Sequence, residues 1–122
     1  MPPSPPRVVV ADDDADMRLY VRACVEAMGA DVVEAADGAE ALRLAGLGGT
    51  SLVVCDLGMP VLNGAAVCRT LKDDARTAGI RVLIVSGETR DRVPPGADGF
   101  LLKPFNSSML RSHVRDLLDA DG

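Results

Sequence analysis

The stretch from residue 52 to residue 64 constrains this chain most, because an uninterrupted apolar run ends there in a single carboxylate. Residues 52–55 are all apolar and rich in valine, which is typical of a strand buried on both faces. Asp56 follows directly, at the carboxyl edge of such a sheet, where open α/β sheets bind their ligands. The glycines and prolines that come next predict a tight loop. Taken alone, Asp56 could equally cap a loop or the start of a helix.

Strands and helices alternate along the rest of the chain. Short runs of β-branched and other apolar residues predict further buried strands at residues 7–11, 31–35, 81–85 and 99–102. Apolar residues at helical spacing predict helices at residues 16–28, 39–47 and 64–72, and a last one capped by Asn106 or Ser107. Asp37-Gly38 is interpreted as a turn. This alternation predicts an α/β fold, a parallel sheet with helices on both faces.

A chain of 122 residues is long enough for one domain with a single core. We expect that domain at residues 7–119, after a Pro-rich disordered tail at residues 1–6 and before a short tail at residues 120–122. Only 2% of the residues are aromatic, so the core is expected to be aliphatic.

The net charge of −5 argues against a general basic surface, and we expect no direct contact with nucleic acid. The cysteines, Cys24, Cys55 and Cys68, form no paired metal or redox motif and are expected to be buried, reduced thiols. No apolar run is long enough to span a bilayer and no signal-peptide pattern is present, so we expect a cytoplasmic protein without membrane contact.

Polar side chains follow four of the predicted strands, at the point where each strand ends. They are Asp12 with Asp13, then Asp56, Ser86 and Lys103. Because the carboxyl ends of parallel strands share one edge, we expect these side chains to converge in one pocket. Carboxylates with a backbone carbonyl suit a hard cation such as Mg²⁺, while a lysine and a hydroxyl suit phosphate oxygens. A central carboxylate can attack a phosphoryl group.

The three consecutive acids Asp12-Asp13-Asp14 also fit a plainer interpretation. Carboxylates at the end of a buried strand repel one another unless they are solvated, protonated or bound to a cation. A solvated loop that leads into a helix would satisfy them as well, with Asp14 or Asp16 as the N-cap.

These motifs together resemble the receiver domain of two-component response regulators, of the single-domain chemotaxis type. The likeness covers about residues 7–118 and rests on four segments in order, residues 8–14, 55–64, 85–86 and 99–105. The resemblance implies a doubly wound, flavodoxin-like sheet of five parallel strands in the order 2-1-3-4-5. It also implies a stand-alone receiver that takes a phosphoryl group from a phosphohistidine of a sensor histidine kinase or a phosphotransfer protein.

The resemblance assigns the metal and phosphoacceptor roles residue by residue. Asp56 would accept the phosphoryl group. Mg²⁺ would be bound by Asp13, Asp56 and the backbone carbonyl of Gly58, with Asp12 acting through a water molecule.

It also assigns the residues that would respond to phosphorylation. Lys103 would pair with the phosphoryl group, and Ser86 would hydrogen-bond to it and draw the following loop inward. Phe100 occupies the place of a rotamer-switching aromatic, with core packing as the alternative. Pro104 would follow Lys103 through a cis peptide bond, which X-Pro bonds tolerate.

The segment between Ser86 and Lys103 is shorter than is usual in the family. It has sixteen residues, and the family usually has more, by about one and a half helical turns. It has one large apolar residue before its last strand, Val93, and a Pro-Pro pair, so we expect the fourth helix to be shortened or missing. Gly58 puts no side chain beside the site, and Glu88 could either reach an attacking water or simply be solvated. Both are therefore expected to influence the lifetime of the phosphorylated state.

The expected function is signalling rather than conventional enzymology. The protein would catalyse only its own aspartate phosphorylation and dephosphorylation, and would signal as a monomer or weak dimer to an unidentified downstream protein. A phosphorylation-independent adaptor and a phosphate sink are the alternatives. Neither a P-loop nor a dinucleotide fingerprint is present, which argues against a nucleotide enzyme. The single histidine, His113, is expected to be solvated rather than a phosphodonor.

Overall fold

The computed structural model describes residues 4–88 and 92–119. The strands are β1 (Arg7–Ala11), β2 (Asp31–Ala35), β3 (Thr50–Asp56), β4 (Arg81–Ser86) and β5 (Gly99–Leu102). The helices of the described residues are α1 (Ala15–Glu26), α2 (Gly38–Ala45), α3 (Gly64–Asp73) and α4 (Ser107–Leu118). Each boundary predicted from the sequence lies within two residues of the observed one. No helix among the described residues is long and apolar enough to cross a membrane.

All five strands are parallel, in the order β2-β1-β3-β4-β5, so the predicted α/β class and strand order are confirmed. The register of the strand pairs determines which strand ends lie side by side. Ala11 pairs with Cys55, which places the residues that follow β1 level with the end of β3. Ser86 pairs with Leu102, so the residue after β5 lies beside the end of β4. The sheet therefore brings together the four strand ends that carry polar residues.

Each strand contributes alternate residues to two aliphatic cores, one on each face of the sheet. On one face Val8, Val10 and their neighbours pack against α1 and α4. On the other face Val9, Val53 and their neighbours pack against α2 and α3. Burial of both faces explains why the strands read as continuous apolar runs.

Side chains that accept backbone hydrogen bonds mark the beginning of all four helices. The N-caps are Asp14, Asp37, Asn63 and Asn106. The prediction of a turn at Asp37-Gly38 was therefore wrong in detail, because Asp37 caps α2 and Gly38 is its first residue. Glycine is needed there, since a Cβ at position 38 would collide with the carbonyl oxygen of Leu62.

The connection from β4 to β5 contains no helix in its described part, which is residues 87–88 and 92–98. This agrees with the expectation of a shortened or missing fourth helix. Of the predicted N-terminal tail, residues 4–6 have no regular structure, and Pro6 accepts a hydrogen bond from Asp31 N at 2.8 Å. Residues 1–3 and the predicted tail at 120–122 lie outside the described residues.

Candidate functional site

Two of the three acids after β1 lie close to the end of β3. Asp12 is 4% exposed, its backbone N–H donates to Ala35 O at 3.1 Å, and its Oδ1 accepts from Asp14 N at 2.9 Å. Asp13 is exposed. Asp14 accepts from Asp16 N and Met17 N as the N-cap of α1. The plainer interpretation of the triplet thus holds for Asp14, whereas the carboxylates of Asp12 and Asp13 lie close to that of Asp56.

Asp56 is the last residue of the central strand and is only 9% exposed. The loop behind it folds back on the strand, because Leu57 N donates to Val85 O at 2.8 Å and Gly64 N donates to Leu57 O at 3.1 Å. A Cβ at position 64 would lie 2.8 Å from the carbonyl oxygen of Asp56, so only glycine fits. This close approach fixes the backbone of Asp56 at the edge of the sheet.

Asp12, Asp13 and Asp56 each offer a carboxylate oxygen, and these oxygens lie within 4.8 Å of one another. Burial raises the pKa of Asp12, and the nearby carboxylates of Asp56 and Asp13 raise it further, against the lowering effect of Asp14 N and Lys103. Three converging carboxylates without nitrogen or sulfur donors match the preference of Mg²⁺ for oxygen ligands. The donor set therefore fits the cation that the sequence predicts.

Lys103 faces this acidic cluster from the end of β5. Its Nζ lies 3.3 Å from Asp56 Oδ1 and 3.6 Å from Asp12 Oδ2, and its backbone N–H donates to Ser86 O at 2.7 Å. Burial alone would lower the pKa of Lys103, but the carboxylates of Asp56 and Asp12 outweigh burial and raise it. The bond between Lys103 and Pro104 is cis, as the resemblance implies.

Ser86 ends β4 and is fully buried. Its Oγ accepts the N–H of Glu88 at 3.1 Å and donates to the Glu88 carbonyl at 3.2 Å. Phe100 is partly buried and packs against the core on the α2–α3 face. The position of Phe100 therefore fits both core packing and the switch that the resemblance implies.

Gly58 and Glu88 line one open groove of about 660 Å³ beside the acidic cluster. A Cβ at position 58 would lie 4.0 Å from Asp56 Oδ2, so a side chain there would reach the carboxylate. Val93 and Pro95 line the same groove. A cavity of about 850 Å³ lies elsewhere, between Pro6 and α4, and none of the predicted site residues lines it.

Other sequence expectations concern residues outside this site. His113 Nδ1 lies 2.9 Å from Met109 O in its own helix. The three cysteines are free. Cys55 and Cys68 are buried as expected, and burial raises the pKa of both thiols, whereas Cys24 is only partly buried.

The sequence analysis missed one contact with the acidic loop. Arg18 on α1 donates from Nη1 to the Asp12 carbonyl at 2.8 Å and from Nε to Glu34 Oε1 at 2.9 Å. The sequence did contain an indication of this contact, because Glu34 is the single acid inside the otherwise apolar part of β2. A charged residue in such a strand indicates a specific partner.

Comparison with known proteins agrees with this fold. The family model of the response regulator receiver domain matches residues 8–115. The chain therefore belongs to the response regulator receiver family, within two-component signalling.

Curated relatives and a solved structure resemble the chain over most of its length. The chain is 36% identical over 118 residues to the DNA-binding dual master transcriptional regulator RpaA of Synechocystis sp., covering 93% of this chain and 49% of that protein. It is 38% identical over 120 residues to the transcriptional regulatory protein PrrA of Mycobacterium tuberculosis, covering 96% and 52%. The chain thus spans about half the length of the curated relatives it matches. The structure of the chemotaxis response regulator CheY4 of Vibrio cholerae superposes with a TM-score of 0.83 at 27% identity, covering 93% of this chain and 98% of that one.

Proposed function

We propose that Asp56 accepts a phosphoryl group from a phosphohistidine of a sensor kinase or a phosphotransfer protein. The observation that carries this proposal is the Asp56 carboxylate, which belongs to the all-oxygen acidic cluster and lies 3.3 Å from the Lys103 ammonium nitrogen. In the reaction an oxygen of Asp56 attacks phosphorus and forms the new P–O bond. The P–N bond of the phosphohistidine breaks, and the imidazole leaves with its electron pair and takes up a proton from water.

Different residues of the site would bind the cation and the phosphoryl oxygens. Asp13, Asp56 and the carbonyl of Gly58 would hold Mg²⁺, with Asp12 acting through water. When bound, the cation supplies positive charge that offsets the charge on the phosphoryl oxygens. Lys103 offers a second positive charge to the same oxygens, and its raised pKa keeps it protonated at neutral pH.

Ser86 and Phe100 would carry the response to phosphorylation. The Ser86 hydroxyl donates to Glu88 O in the described state, and a phosphoryl group on Asp56 would offer a stronger, charged acceptor. Donation to the phosphoryl group would break the bond to the Glu88 carbonyl, which we expect to move the connection from β4 to β5. The resulting shift in population changes the affinity for a downstream protein. Gly58 and Glu88, which line the groove beside the site, would set the access of water to the acyl phosphate.

The proposal is tested by intact mass after incubation with Mg²⁺ and a small-molecule phosphodonor. We expect one phosphoryl adduct on the wild type and none on the Asp56→Asn variant, because the amide lacks the nucleophilic carboxylate. Omission of Mg²⁺ should abolish the adduct or slow its formation. An adduct on both proteins would place the phosphoacceptor elsewhere, and absence of both adduct and Mg²⁺ binding in the wild type would contradict the proposal.

A phosphorylation-independent adaptor is the second candidate, favoured by the lack of a helix in the described part of the connection from β4 to β5. An adaptor has no need for clustered acids facing a lysine, so the site geometry favours the phosphorylatable receiver. A phosphate sink would share all the chemistry above and differ only in having no downstream partner.

Action in the cytoplasm as a monomer or weak dimer remains part of the proposal. The absence of direct nucleic-acid contact stays a prediction for this chain, and the matched relatives RpaA and PrrA are named as transcriptional regulators.

A further inference from the structure

The loop of Asp12, Asp13 and Asp14 carries two of the three carboxylates whose oxygens lie within 4.8 Å of one another, and these like charges repel. Several hydrogen bonds constrain this loop. Asp12 N is bound to Ala35 O, Asp14 N is bound to Asp12 Oδ1, and Asp14 itself caps α1. The carbonyl of Asp12 is bound differently, by a side chain six residues ahead, through the hydrogen bond from Arg18 Nη1 at 2.8 Å. This carbonyl belongs to the peptide unit that joins Asp12 to Asp13, so its orientation affects both acids.

Arg18 is itself held in place. Its side chain is 18% exposed, and its Nε donates to Glu34 Oε1 at 2.9 Å. Glu34 Oε2 also accepts from Arg22 Nη1 at 2.6 Å. The hydrogen bond from Arg22 lowers the pKa of Glu34, as does the bond from Arg18, so Glu34 is ionised at neutral pH. A planar guanidinium bound on two edges has little rotational freedom.

We propose that Arg18, oriented by Glu34, is a positioning residue that fixes the Asp12–Asp13 peptide for cation binding. This inference rests on the Mg²⁺ site of the proposed function. Glu34 has a second role in it. An unpaired positive charge near the acidic cluster would repel a divalent cation, and the Glu34 carboxylate offsets the charge of Arg18. The pair thus supplies a directional hydrogen bond with little net charge.

The Arg18→Gln variant separates positioning from simple electrostatics, because the two predict opposite signs. Removal of a positive charge near the cluster would tighten Mg²⁺ binding if charge alone mattered. Loss of the hydrogen bond to the Asp12 carbonyl should weaken binding by about tenfold, the lower end of what the outer-shell partners of metal ligands contribute. Mg²⁺ titration by calorimetry measures this dissociation constant without any phosphodonor.

Arg22→Gln is the matched control. Arg22 also binds Glu34 and also carries one positive charge, but among the described residues it contacts Glu26 and Glu34 and not the acidic loop. We expect its Mg²⁺ affinity to stay within about twofold of the wild type, because the bond from Arg18 to Asp12 remains. Arg18→Lys keeps the charge and the aliphatic stem, yet one ammonium cannot span both partners, so an intermediate affinity is expected.

Two further readouts guard against a general folding defect. The free energy of unfolding is measured for each variant in the presence of a chelator, and the affinities are compared only at temperatures where each variant is folded. In metal-free protein, the amide resonances of Asp13 and Asp14 should shift in Arg18→Gln and stay in place in Arg22→Gln. Wild-type affinity in folded Arg18→Gln, or tighter binding, would overturn this inference alone. A wild type that binds no Mg²⁺ would overturn the proposed cation site and this inference together.

Discussion

Two segments flank the phosphoacceptor candidate, and they are held in contrasting ways. Residues 57–63, between β3 and α3, are held by contacts at several points between their two ends. Met59 is buried, Leu62 lies against Gly38, and Asn63 caps α3. Glycine at position 64 then brings the loop into contact with the Asp56 backbone.

Residues 87–98, between β4 and β5, are held mainly near their ends in the described part. At one end Glu88 is bound to Ser86. At the other, Asp98 accepts hydrogen bonds from Lys72 Nζ at 2.9 Å and from Val82 N at 2.8 Å. Between these anchors Pro94 is buried, but Gly87, Arg92 and Val93 are exposed.

This contrast suggests a division of labour around the site. A phosphoryl group needs a fixed acceptor and fixed cation ligands, and the first segment supplies them. A signal needs a segment with more than one arrangement of similar free energy, and few buried apolar contacts mark such segments. The connection without a described helix fits the second requirement, and its first anchor is the same Ser86 that would respond to phosphorylation.

The largest effect is expected from Gly64→Ala, which breaks the fixed segment. The new methyl group would lie 2.8 Å from Asp56 O and 2.9 Å from Leu57 Cα, both backbone atoms that cannot rotate away. We expect a loss of about 1–3 kcal/mol in the free energy of unfolding, as for overpacked cores. Slower phosphorylation of Asp56 should accompany it, and chemical denaturation with intact-mass kinetics measures the two effects.

Gly87→Ala is the matched control in the other segment. A Cβ there meets no atom within 4 Å, so the free energy of unfolding should stay within about 0.5 kcal/mol of the wild type. Equal destabilisation by the two substitutions would show that the segments are held alike, and the comparison would be wrong.

A smaller effect is expected when the second anchor of the connection is weakened. Asp98→Asn removes the charge that pairs with Lys72 while keeping one acceptor for Val82 N. We expect a loss of about 1–2 kcal/mol, because a partly buried, charge-assisted hydrogen bond is weakened.

Cysteine alkylation shows which part of the molecule the Asp98→Asn substitution loosens. Cys68 lies under the connection, with its Sγ 3.7 Å from Pro95 O, whereas Cys55 lies inside β3. Asp98→Asn should speed the labelling of Cys68 relative to Cys55, measured by peptide mass spectrometry. If both thiols speed up equally, the whole domain opens and the connection has no separate freedom.

The fold and the convergence of the site were predictable because they follow from local patterns. Valine-rich runs specified the buried strands, and the parallel sheet then forced Asp12, Asp56 and Lys103 to one edge. The contact between Arg18 and Asp12 was not predicted, since it depends on the orientation of α1 against β2 rather than on any local pattern. Gly38 was taken for a turn residue because its real constraint, the carbonyl of Leu62, is distant in sequence.

The smallest effect concerns Val61, which shows how firmly the first segment is held. Val61 has a φ of 67° and is 99% exposed, and Leu62 N donates to Pro60 O at 2.7 Å across it, which forms a γ-turn. A β-branched residue at positive φ is strained, at a cost of order 1–3 kcal/mol, and persists only where its surroundings dictate the backbone. Val61→Gly should relieve the strain and lose about 0.5–1 kcal/mol to chain entropy, a net gain of about 1 kcal/mol. Val61→Ala keeps a Cβ at the same φ and should gain less, as chemical denaturation of both variants will measure. A loss of stability in Val61→Gly would mean that the loop relaxes around Val61, and that the fixed segment is less rigid than its contacts indicate.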